Sequence, residues 1–79
     1  MEWMLKLAIV VASAARHGVA SEDALHAWAF AVDAYILSEE MVMYIGPDRG
    51  GNLLEVGVVE RHEELAIVHA MPARPKLWR

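Results

Sequence analysis

The spacing of apolar residues changes partway along this chain and divides it into a mainly helical front and a stranded back. Leu5 to Val11 holds Ile9, Val10 and Val11 in a row. β-Branched side chains lose rotamer freedom in a helix and pack well in a buried strand, so this run predicts a first strand. Ala8, Ala12, Ala14 and Ala15 favour the competing helix. Ser13–His17 reads as a helical turn stopped by Gly18, with His17 near its negatively polarised end. Ser21-Glu22-Asp23 then predicts a helix start: a capping hydroxyl followed by two acids in the first turn. Leu25, Trp28, Ala29 and Val32 follow at i, i+3, i+4 and i+7, which gives one apolar face on a helix running to about Asp33–Tyr35.

Beyond that point the period becomes two. Tyr35-Ile36-Leu37 and Met41–Ile45 flank the polar Ser38-Glu39-Glu40, a hairpin pattern. Gly46–Asn52 is almost entirely turn-forming. Leu53–Val59 and Leu65–Met71 predict two more strands joined by the charged turn Glu60–Glu64, and Pro72 and Pro75 end regular pairing. Consecutive strands with short turns pair antiparallel. The expected fold is a single α+β domain over residues 1–79, with one antiparallel sheet of about four strands and two N-terminal helices packed on one face.

Composition sharpens this picture. The chain has 79 residues, no cysteine and an apolar fraction of 57%, above the roughly 45–50% of ordinary domains. Disulfides and thiolate metal sites are excluded. So much apolar surface in so small a domain predicts a partner or self-association, and hence a homo- or hetero-oligomer. Net charge is −4, but residues 21–64 carry ten acids against two arginines while residues 65–79 carry three basic groups and no acid. An acidic body argues against broad electrostatic binding to nucleic acid, and the basic tail permits a local phosphate contact. The run Leu7–Ala12 is short for a signal peptide and has only Lys6 before it against Glu2. No run approaches the length of a membrane span. A cytoplasmic protein without membrane attachment is the expectation.

The candidate chemistry lies in the last two strands. Leu54, Val56 and Val58 share one face by alternation, which sends Glu55 to the other, open face. On the following strand Ile67, His69 and Met71 share a face. If His69 stands beside Glu55, an acid and an imidazole lie on one side of the sheet and could perform acid–base chemistry on an RNA 2′-hydroxyl and its leaving oxygen. His69 would act as acid or base, Glu55 as its partner and Arg74 as a stabiliser of phosphate charge. Arg49 in the glycine turn can grip phosphate bidentately or be a solvated turn residue. Lys76 adds charge for RNA. His26 and Asp33 lack a third ligand of metal type, so neither a metal nor a cofactor is expected.

Ala15-Arg16-His17-Gly18-Val19 before the Ser21-Glu22-Asp23 helix resembles the Arg/Lys-His-Gly-Val/Ile junction of BrnT-type toxins, small RelE-like ribonucleases of bacterial type II toxin–antitoxin pairs. The last two strands and the exit Met71-Pro72-Ala73-Arg74 are similar to the corresponding part of that family, so the likeness spans most of residues 13–76. It implies an antiparallel sheet behind two helices, RNA cleavage without metal, and an antitoxin covering the site. Carried over by position are His17 at the helix junction, as an RNA contact, and Arg74 after the last strand. The chain departs from the family in its acidity and in its scarcity of basic strand residues. The alternative is a non-catalytic domain of the same fold that binds a partner protein or itself.

Overall fold

The computed structural model describes residues 8–10, 18–61 and 64–74, and of Ala8–Val10 and Arg61 only the backbone. In chain order these form β1 (Ala8–Val10), α1 (Ser21–Ala29), β2 (Asp33–Ser38), β3 (Met41–Pro47), β4 (Leu53–Arg61) and β5 (Glu64–Pro72). The strands make one sheet in the order β1-β5-β4-β3-β2. The β2-β3-β4-β5 meander is antiparallel, as short turns require. β1 pairs parallel with β5, so the sheet is mixed rather than wholly antiparallel. The class is α+β, with one helix among the described residues, on one sheet face; the helical turn expected over residues 13–17 lies outside the described residues. No described helix is long and apolar enough to cross a membrane.

The helix buries a different stripe from the one its spacing suggests. Ala24, Ala27 and Trp28 pack with Leu54, Val56, Val58, Ile67 and Ala70, while Leu25 is only partly covered. Trp28 meets Tyr44 edge-on, with ring centroids 6.2 Å apart. Val32 is exposed and not helical. The helix ends at Ala29 because Phe30 leaves helical geometry and the Val32 N–H donates to the Ile45 carbonyl at 2.7 Å, capturing the chain for the sheet. At the other end Ala20, not Ser21, is the cap residue, and its carbonyl accepts the Asp23 and Ala24 N–H groups.

Two contacts set the helix on the sheet. His26 donates its Nδ1–H to the Pro47 carbonyl at 2.8 Å. Gly46 lets the end of the helix lie directly on β3: a Cβ there would meet the Ala27 carbonyl group and come within 2.9 Å of Ala31 Cα. The β3–β4 turn is self-built, with Asp48 accepting the Gly50 and Asn52 N–H groups at 2.9 and 2.8 Å, and Gly51 supplies its positive φ of 89°.

Truncating Trp28 to alanine is expected to cost about 3–5 kcal/mol in urea unfolding, as for other buried aromatics. Gly46→Ala is expected to cost more than the roughly 0.5 kcal/mol of an ordinary surface change. A loss below about 1 kcal/mol for Trp28→Ala would contradict this packing.

Candidate functional site

The sheet has a second buried face. Register places Met43, Ile45, Glu55, Val59 and Ala66 opposite the helix side, and all five are buried. Glu55 is the charged member of that set, at 0% exposure. Alternation therefore assigns its face correctly, but that face is closed at Glu55 rather than open.

Both oxygens of Glu55 are fully engaged. Oε2 accepts the His69 Nε2–H at 2.8 Å and an Arg74 Nη2–H at 2.7 Å. Oε1 accepts the Arg74 Nε–H at 3.1 Å and the Arg74 backbone N–H at 3.2 Å. A bidentate guanidinium fork plus an imidazole is among the stronger hydrogen-bond sets available to a carboxylate. Burial pushes the Glu55 carboxyl up, and the hydrogen bonds from Arg74 and His69 with the Arg74 charge outweigh it, leaving the group below its ordinary value of 4.5. The side chains of His69 and Arg74 remain 26% and 44% exposed, so both touch solvent while their shared anchor does not.

Local sequence explains how these three meet. Glu55 stands opposite Met71, and His69 lies two residues back on β5, the diagonal neighbour across an antiparallel pair. Gly57 faces His69 directly, and a Cβ at Gly57 would sit 3.1 Å from the His69 Cβ and 3.0 Å from the Met41 sulfur. A bulge follows: Gly57 pairs with His69 but Val58 with Ile67, leaving Val68 as the extra residue. This overturns the simple alternation of β5. Ile67 joins Ala70 in the helix-side core, while His69 and Met71 turn to Glu55. Past Pro72, the Ala73 N–H donates to the Leu53 carbonyl at 3.0 Å and keeps the exit segment beside β4, from which Arg74 folds back.

Of the remaining candidates, Arg49 goes elsewhere. Its backbone N–H and Nε–H both donate to Asp23 Oδ1, at 3.0 and 2.8 Å, clamping the β3–β4 turn to the first turn of α1. These hydrogen bonds hold the Asp23 carboxyl below the usual range. Arg49 is a structural clamp with no contact to the Glu55 cluster. His17 and Lys76 lie outside the described residues. No three His, Asp or Glu side chains among the described residues converge as a metal site would require.

Sequence reading missed Tyr35. Across the strands Tyr35, Met43, Gly57 and His69 form one row on the Glu55 face. The Tyr35 hydroxyl is buried without a hydrogen-bond partner among the described residues, and the phenol lies within electrostatic range of Arg74. Alternation from Tyr35 through the hairpin carries that signal once the register is known. Comparison with known proteins adds nothing to this geometry: no protein-family model, no curated protein and no solved structure matches the chain.

Two outcomes follow. Because Glu55 titrates below 4.5 when folded, its contribution is complete above the unfolded pKa and fades as pH falls through the folded value. Glu55→Gln should therefore destabilise the protein at pH 7 and, in denaturant titrations across acid pH, flatten the loss of stability expected of the wild type below pH 4.5. Tyr35→Phe removes an unsatisfied buried hydroxyl, and thermal unfolding should show stability equal to or above wild type; a clear loss would mean that the hydroxyl is bonded.

Proposed function

We propose that this chain is the toxin member of a bacterial toxin–antitoxin pair, a RelE/BrnT-like domain acting in the cytoplasm as a metal-independent endoribonuclease. One observation carries the reading: an imidazole and a guanidinium, both solvent-accessible, are held on one buried carboxylate. Glu55 is a positioning residue, since its complete burial keeps it from substrate. Tied at Nε2, the His69 ring has a fixed orientation, and a positioned imidazole is the side chain most often used to pass protons to and from a reacting group.

In this reading the RNA 2′-oxygen attacks the adjacent phosphorus. The 2′-hydroxyl loses its proton, the bond to the 5′-oxygen breaks and that oxygen takes up a proton. The products are a 2′,3′-cyclic phosphate and a 5′-hydroxyl end. His69 moves one of these protons, and Arg74 offsets the charge gathering on the phosphoryl oxygens. An antitoxin protein would act by covering this face.

RNA cleavage by purified protein tests the reading. His69→Ala should lower the rate by roughly a hundredfold or more. Arg74→Ala removes two of the bonds that keep Glu55 neutralised, so it should destabilise the domain as well. Arg74→Lys keeps the charge but loses the fork, and it should lower cleavage by about a hundredfold with circular dichroism unchanged. Wild-type protein that leaves RNA intact under all conditions would overturn the assignment. A second reading, a non-catalytic domain that binds a partner or itself, is favoured by Phe30, Val32, Ile36 and Leu37, large apolar side chains exposed on β2 and the segment leading into it. For that reading sedimentation should show self-association, and a monomer at all concentrations would count against it.

A further inference from the structure

The helix is too short for the sheet it covers. Nine residues of α1 span about 13 Å at 1.5 Å per residue, whereas the nine of β4 span about 30 Å. Among the described residues, the apolar layer that begins under Trp28 therefore continues past the end of the helix. Tyr44 and Leu65 are packed against the core cluster on one side and line an open groove of about 550 Å³ on the other. Its floor is Val42, Tyr44, Val58 and Leu65. Ile36, paired across from Val42 and 77% exposed, forms one wall.

The rim is acidic. Glu39, Glu40 and Glu60 border the groove, all three exposed, and no Lys, Arg or His is among the described lining residues. Register puts Val42, Val58 and Ile36 on the same sheet face as α1, opposite the Glu55 cluster. An occupant would thus add to the helical layer, not cover the candidate catalytic residues. An apolar floor inside a ring of carboxylates suits an amphipathic helix with a Leu- or Ile-type stripe flanked by Lys or Arg. A second copy of this chain is the poorer fit, because β2 and the β2–β3 turn bring Asp33, Glu39 and Glu40 of its own to the same edge.

We propose that this groove is the docking site for a cationic amphipathic helix of a partner protein, which lies beside α1 and completes its layer. The site does not depend on whether the chain cleaves RNA.

The test uses the whole chain and two synthetic peptides of about 18 residues, long enough for helix formation. Both carry leucine at i, i+3, i+4 and i+7, one with lysine and the other with glutamate on the flanks. The lysine peptide should bind, with amide shifts centred on Ile36, Val42, Tyr44, Val58 and Leu65, and should weaken with salt. Glu40→Lys with Glu60→Lys should weaken it by roughly tenfold or more, and Ile36→Asp should do so without altering the fold. The glutamate peptide should not bind. Equal binding of both peptides, shifts centred elsewhere, or no binding at all would overturn the proposal. So would a wild-type dimer that Ile36→Asp converts to monomer, since the occupant would then be a second copy.

Discussion

Taking a carboxylate entirely out of water costs several kcal/mol, and the cost is recovered only when every lone-pair direction meets a donor. Glu55 meets that condition with four donors, three of them from Arg74 and one from His69. Much else in the structure follows from this. β5 must carry its histidine to the face of Glu55 while its isoleucine goes to the helix, so it bulges at Val68. β4 must let the imidazole approach, so Gly57 stands opposite it. The chain past Pro72 must stay beside β4 long enough for Arg74 to return, and the bond from Ala73 to Leu53 keeps it there.

The two sheet faces consequently have separate tasks. On one side Trp28 and the small residues Ala24 and Ala27 bring the helix close, with Gly46 allowing backbone contact. On the other, methionines and aliphatic side chains surround the ion cluster and lower the local dielectric. This strengthens its hydrogen bonds and would make any missing one expensive. The arginines divide in the same way. Arg49 fastens the turn to the helix, and Arg74 is held at the candidate site.

Much of this was legible in the sequence. The β2–β5 meander, the main helix and the placing of His69 beside Glu55 follow from periodicity, turn residues and residue type, whereas the return of Arg74 onto Glu55 does not. The turn between β2 and β3 falls at Glu39-Glu40, as the polar Ser38-Glu39-Glu40 predicts. What escaped depends on tertiary context. The helix stops at Ala29 because a sheet hydrogen bond claims Val32, and no local propensity encodes that. The bulge at Val68 breaks strict alternation and separates Ile67 from His69; Gly57, a glycine inside a strand, was the local sign of it. The parallel pairing of β1 links the two ends of the chain and has no signal in either segment alone. Arg49 had two readings of equal weight, a phosphate grip and a solvated turn residue, and neither foresaw its bond to Asp23, which depends on how the turn meets the helix in space.

The most direct test of the central claim is a double-mutant cycle between Glu55 and Arg74, using Glu55→Gln, Arg74→Gln and the double variant, with unfolding free energy as the readout. If one buried carboxylate organises the site, the two changes must be coupled, by about 1–3 kcal/mol. Once Glu55 is glutamine, replacing Arg74 should then cost little more. Additive losses, with a coupling energy within roughly 0.5 kcal/mol of zero, would contradict the account.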